Sequence, residues 1–252
     1  MEIRICRIGV AGWRQRDQAA SQMKHGFFVT GTDTGVGKTL ISSALVHYFA
    51  QSGLRVAGMK PVAAGCERVG AHLLSEDVAS LRDAGNVDIP LEVINPYAFE
   101  PPLAPHIAAE AEGVRIELTI IHEAFKKAAD TVDILVVEGV GGFRVPLNDQ
   151  EDTADLACRL GLPIILVVGL RLGCLNHALL TAESIVARGL KLAGWVANCI
   201  DPEMEMQQEN LAALGKRISA PCLGVVSYQS VADFNTVAMA FDTQEIRNLV
   251  CA

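Results

Sequence analysis

The densest chemistry in the chain lies in the run GTDTGVGKT at residues 31–39. Gly31, Gly35 and Gly37 permit close backbone approach and unusual φ, so such a loop can turn its N–H groups toward an anion. Lys38 then reaches the β- and γ-phosphates of a nucleotide, and the Thr39 hydroxyl can ligate Mg²⁺. The usual pattern places a glycine five residues before the glycine of G-K-T. That position is Thr32, with Gly31 one residue earlier, so the loop is a variant. Glu138 ends an apolar run and precedes Gly139, Gly141 and Gly142. A carboxylate there can hold Mg²⁺ or its waters opposite the phosphate loop. Asp77 either favours the dipole of the helix it opens or joins the metal site. Lys60, in M-K-P-V at the end of another apolar run, is placed to meet a phosphate or a carboxylate. Asn176 reads as a cap for the helix after Gly173. His106 and His177 read as structural, and Cys174 has no base beside it to make it a nucleophile.

These residues need elements to carry them. Residues 26–30, 55–60, 133–137, 163–168, 194–198 and 222–226 read as strands. Several are continuous apolar runs, the pattern of parallel strands buried on both faces. Helical spacing occupies 40–51, 77–83, 116–129, 153–160, 178–188 and 207–216. The alternation predicts one doubly wound, mostly parallel α/β domain with a P-loop NTPase fold over 23–252. Ligands in such sheets sit beyond the carboxyl ends of the strands. That rule makes 30–39, 60–66, 138–142, 169–177 and 198–201 neighbours around one crevice. Residues 1–22 read as a disordered extension or an upstream start, with a second methionine at Met23. The tail from 230 to 252 carries no specific signal.

The chain has 252 residues and a net charge of -8, with no run of five or more basic residues. That balance disfavours nucleic acid as a partner. No run reaches the length of a membrane span. The seven cysteines are scattered and no two are spaced C-x-x-C, which suggests reduced thiols in a cytoplasmic protein.

Together the motifs resemble the dethiobiotin synthetase family. The similarity runs over residues 23–228, through GTDTGVGKT, KPVAAG, NPYAFEPPLAPHIAA, VEGVGG, PIILVVGLRLGCLNHALLT and LAGWVANCI. The resemblance implies an ATP-dependent cyclo-ligase of biotin biosynthesis that makes dethiobiotin, ADP and phosphate from 7,8-diaminononanoate, CO₂ and ATP. A carbamate forms on one amine, a carbamic–phosphoric anhydride follows, and the second amine closes the urea ring. By the same resemblance Lys38 and Lys60 are catalytic, and Thr39, Asp77 and Glu138 hold Mg²⁺. Gly35, Val36, Gly37, Lys38, Thr39 and Leu40 would contact ATP, with Asp77, Glu138, Gly139, Val140 and Gly141. Asn198, Cys199, Ser227, Tyr228 and Gln229 would lie near the base. Thr34, Lys60, Ala64 and Gly141 would bind the diamine. Gly173, Cys174, Leu175 and Asn176 would bind its carboxylate from the partner subunit of a homodimer. Five residues depart from patterns in the family: Ala64 stands where many relatives carry a hydroxyl residue, Gly35 where some carry an acidic one, and Ser227-Tyr228-Gln229 where some carry Pro-Trp-Leu.

The alternative is a switch ATPase of the partitioning or positioning type. Such proteins carry an extra lysine at the start of the loop, where this chain has Thr30-Gly31-Thr32.

Overall fold

The computed structural model describes residues 25–251; the expected extension over 1–22 and the start at Met23 lie outside them. Its strands are β1 (His25–Gly31), β2 (Val56–Met59), β3 (Val62–Ala64), β4 (Glu67–Val69), β5 (His72–Leu74), β6 (Tyr97–Phe99), β7 (Ile134–Gly142), β8 (Ile164–Leu170), β9 (Leu192–Cys199) and β10 (Cys222–Val226). The helices are α1 (Lys38–Gln51), α2 (Glu76–Ala84), α3 (Leu91–Ile94), α4 (Pro105–Ala111), α5 (Leu118–Ala129), α6 (Thr153–Leu160), α7 (Cys174–Ala187), α8 (Gln207–Arg217), α9 (Phe234–Met239) and α10 (Thr243–Cys251).

The apolar runs become one parallel six-stranded sheet in the order β10-β9-β8-β1-β7-β2. Every residue of β8 is buried, as are the first six of β7. Each buried Val, Leu or Ile contributes about 1.5–3 kcal/mol on leaving water. Successive strand residues face opposite layers. Phe27 and Val29 of β1 enter the core beneath α1, with Ile41, Leu45 and Phe49. Phe28 joins the opposite core, with Phe125 of α5 and Leu156 of α6. Leu166, Val168 and Trp195 form a third cluster with Ala178 of α7 and Leu214 of α8. The doubly wound α/β reading therefore holds. Because β1 lies between β7 and β8, the loop that follows it opens beside Glu138 and beside the end of β8.

Several boundaries differ from expectation. α7 starts at Cys174, four residues earlier than the apolar spacing suggested. Its N-cap is Gly173 at φ 94, with no side-chain cap hydrogen bond, so Asn176 sits inside the first turn and does not cap. α1 likewise starts at Lys38, directly after Gly37 at φ 87. The parallel pair β3–β6 and the hairpin β4–β5 were not foreseen, since three-residue strands are too short to show a period. The tail is also ordered into the fold. Phe234 of α9 packs on His47 of α1 at 5.6 Å, and Phe241 meets Tyr48 at 6.2 Å. No helix among the described residues is long and apolar enough to cross a membrane. Cys66, Cys158, Cys174, Cys199 and Cys222 are free thiols.

Candidate active site

The phosphate loop is held from both sides. The Thr32 N–H donates to the Val167 carbonyl of β8 at 3.0 Å. A Cβ on Gly37 would lie 2.2 Å from Asn198 Nδ2, so the amide of β9 rests directly on this glycine. That amide donates to the Val36 carbonyl at 2.9 Å. α1 then begins without an acidic residue in its first turn, leaving its amides to an anion. Lys38 is buried and its ammonium donates to the Asp33 carbonyl at 2.9 Å. Burial, and then the Lys60 ammonium, pull its pKa down to about 8. The negative charge of an arriving phosphate would oppose this shift and favour the ammonium.

Beneath the loop, four predicted residues converge. Lys60, 3% exposed, follows the end of β2. Its ammonium lies 2.6 Å from Glu138 Oε1 and 2.8 Å from Asp77 Oδ2, and donates to the Gly139 carbonyl at 3.1 Å. Thr39 Oγ1 donates to Asp77 Oδ1 at 2.6 Å and lies 2.9 Å from Glu138 Oε1. Burial lowers the Lys60 pKa, but Glu138 and Asp77 more than offset it, and the net shift is upward. Burial raises the Asp77 pKa, and Lys60 and Thr39 reverse that to hold it below the ordinary carboxylate range. Asp77 lies in the first turn of α2, where its charge favours the helix dipole. Ser75 caps α2 by accepting from the Val78 N–H at 3.2 Å, which leaves the Asp77 carboxylate to face Thr39 and Lys60.

The donor set suits Mg²⁺. It consists of hard oxygens only, and Glu138 Oε2 is buried with no hydrogen-bond partner. No group of three or more His, Cys, Asp or Glu among the described residues could hold a metal. Two carboxylates and a hydroxyl are what Mg²⁺ takes when phosphates and waters complete its octahedron.

A cleft of ≈ 160 Å³ opens at the other end of the loop, lined by Leu40, Asn198, Cys199, Ile200, Tyr228, Gln229 and Ala232. Asn198 spends Nδ2 on Val36, and its Oδ1 can accept from an exocyclic amine. Cys199 Sγ is 2.8 Å from Gln207 Nε2. The base-side residues expected at 198–199 and 228–229 all line this cleft. Ser227 is exposed beside it and is not part of the lining. Ile200 and Ala232 were missed, since an apolar wall leaves no motif.

Among the substrate-side residues, Thr34 and Gly141 come together. A Cβ on Gly141, at φ 61, would lie 3.5 Å from Thr34 Oγ1. Val140 is half-buried in the end of β7. Ala64 is half-buried on β3 opposite Phe99, and Gly65 follows in the left-handed region at φ 75. Gly173, Leu175 and Asn176 lie at the start of α7, whereas Cys174 is 2% exposed and packs into the core under β8. Its thiol is therefore turned away from the crevice, and its backbone N–H is donated to the Arg171 carbonyl at 3.0 Å. Among the described residues, none of the four hydrogen-bonds to the Lys60–Glu138 group. Arg171 was not foreseen at all. Its guanidinium reaches Asp33 Oδ2 at 2.5 Å, and its only sequence signal was a cation just past an apolar strand.

Comparison with known proteins bears on the family and the fold. The AAA_26 family, described as an AAA domain, matches residues 25–236. The ATP-dependent dethiobiotin synthetase BioD of Aromatoleum aromaticum is 55% identical over 212 residues, covering 84% of this chain and 94% of the relative. The protein of the same description from Nitrosospira multiformis is 51% identical over 224 residues, covering 89% and 97%. Among solved structures, the MinC:MinD cell division protein complex of Aquifex aeolicus aligns with a TM-score of 0.50 at 14% identity, over 90% of this chain and 94% of that one. That likeness concerns the fold alone.

Proposed function

Because the chain belongs to the AAA_26 family and, within it, to the ATP-dependent dethiobiotin synthetases, we propose that it closes a cyclic urea from 7,8-diaminononanoate and CO₂ at the expense of ATP. The observation that carries this reading is the buried Lys60 ammonium set between Glu138 and Asp77, directly below the phosphate loop.

Phosphoryl transfer to a carbamate demands positioning and charge neutralisation more than a protein nucleophile. The loop amides and Lys38 hold the β- and γ-phosphates. Thr39, Asp77 and Glu138 hold Mg²⁺, which when bound neutralises phosphate charge. Lys60 then turns its ammonium to the carbamate and the γ-phosphate. A carbamate oxygen attacks the γ-phosphorus and the bond to ADP breaks. The second amine attacks the carbamoyl carbon, the C–O bond breaks, and phosphate leaves with the oxygen that came from CO₂. No group at Cys174 is needed as nucleophile, in keeping with its burial. The base sits in the cleft at Asn198, Cys199, Tyr228 and Gln229. Thr34, Ala64 and Gly141 line the diamine's reacting end, with Ala64 contributing backbone contacts only.

The carboxylate of the diamine binds at Gly173, Leu175 and Asn176 of a partner subunit. The start of a 14-residue helix suits that anion. Leu172 and Leu180, 93% and 57% exposed beside it, supply apolar surface for a two-fold contact. A switch-ATPase role has only the fold likeness behind it.

The mechanism is tested with ¹⁸O-labelled bicarbonate. One labelled oxygen is expected in each inorganic phosphate formed. Phosphate without label would refute the carbamic–phosphoric anhydride.

A further inference from the structure

We propose that Arg171 is a positioning residue for the phosphate loop, acting through Asp33 to keep Lys38 and the loop in the shape that receives the nucleotide. The proposal deepens the ATP-dependent reading above and rests on it only for its kinetic arm.

β8 lies beside β1 in the sheet, with Gly31 opposite Val167, so the residue that leaves β8 arrives next to the loop that leaves β1. That residue is Arg171. Its carbonyl accepts the Cys174 N–H at 3.0 Å, closing the turn into α7 and fixing its backbone. Its guanidinium donates to Asp33 Oδ2 at 2.5 Å. Asp33 is the hub of the loop. Its Oδ1 accepts the Thr34 N–H at 2.7 Å, and its carbonyl accepts the Lys38 ammonium at 2.9 Å. Among the described residues, these other bonds of Asp33 stay within the loop, so Arg171 alone ties its side chain to the rest of the sheet. With Arg171 in place, Oδ2 is pinned, Oδ1 stays on Thr34, and the peptide that holds Lys38 keeps one orientation.

Both side chains are about half exposed, at 43% and 45%, so the pair is a modest one energetically. Modest coupling is what a positioning contact for a glycine-rich loop requires. Gly35 and Gly37, both at positive φ, give the loop other conformations once the anchor is lost. A rival role for the same exposed cation is direct contact with phosphate, and that role does not pass through Asp33.

A double-mutant cycle on the full chain separates the two. Calorimetry with ADP and Mg²⁺ is run on Arg171→Gln, Asp33→Asn and the double variant. Each single variant is expected to weaken ADP about three- to ten-fold, and the double to be no weaker than the worse single. Arg171→Lys recovers part of the loss, because lysine offers a point charge without the fork. In turnover, the KM for ATP rises while the KM for the diamine stays put and the melting temperature does not change. Unchanged ADP affinity in Arg171→Gln would overturn the proposal. So would losses that multiply in the double variant, or a raised diamine KM, since either means Arg171 touches a ligand directly. Binding of ADP is read without turnover, so failure of the synthetase reading leaves this test intact.

Discussion

Replacing Lys60 by methionine keeps the length of the side chain and removes its charge. The structure sets the size of the effect. The lysine faces Glu138, whose side chain is 0% exposed, and Asp77, whose side chain is 39% exposed. Breaking a buried ion pair from one side costs about 3–5 kcal/mol, because the remaining charge is left buried. Water screens the Asp77 share, which places the loss near the lower end. For a chain of this size about 1 kcal/mol moves the melting temperature by roughly 2–4 °C, so a drop of about 6–12 °C is expected. Glu138→Gln in the same background removes the orphaned carboxylate and should recover most of the drop, although both variants lack turnover. Differential scanning calorimetry without nucleotide reads this directly. If Lys60→Met melted with the parent, or if the double variant melted lower still, the buried pair would not be what holds Lys60 in place.

Gly37→Ala should lose ADP binding by calorimetry. The left-handed φ costs about 1–3 kcal/mol, and moving the Asn198 amide off the Val36 carbonyl costs about 1–3 kcal/mol more; parental affinity would contradict the packing at 2.2 Å. ADP binding near pH 9 should take up close to one proton, because Lys38 starts mostly neutral with a pKa of about 8 and must be an ammonium against phosphate. Titrations in two buffers of different ionisation heat read the uptake, and none is expected below about pH 7. For the free protein the sign is opposite: between about 8 and 10.5 the unfolded chain binds more protons, so the Lys38 contribution to stability rises with pH across that window. Asp152→Ala removes the capping box of α6 and should cost about 1 kcal/mol, read as a lower melting temperature by calorimetry.

Much of the fold was legible because its signals are local. Runs such as PIILVV carry the pattern of strands buried on both faces, and GTDTGVGKT between a strand and a helix has few other uses. Lys60, Asp77 and Glu138 were each found at an element's end, but their contacts with one another and with Thr39 join residues 17 to 99 positions apart, which no spacing reveals. Asp77 stayed ambiguous because a carboxylate in the first turn of a helix serves the dipole wherever it also points, and only its contacts with Thr39 and Lys60 place it at the phosphate loop. Asn176 was misread as a cap because Gly173 starts the helix in a left-handed conformation that one sequence does not announce. Cys174 looked reachable in the LGCLNHA motif, yet helical phase turns it into the core. Arg171 and the tail helices went unread because their meaning lies in what they touch.

Which substrates release ADP distinguishes a synthetase from a switch ATPase most directly. Purified protein is supplied with ATP and Mg²⁺, and the diamine and bicarbonate are each left out in turn. ADP should form only when both are present, one per dethiobiotin made. ADP released at the same rate without the diamine would contradict a synthetase and return the chain to the switch ATPases.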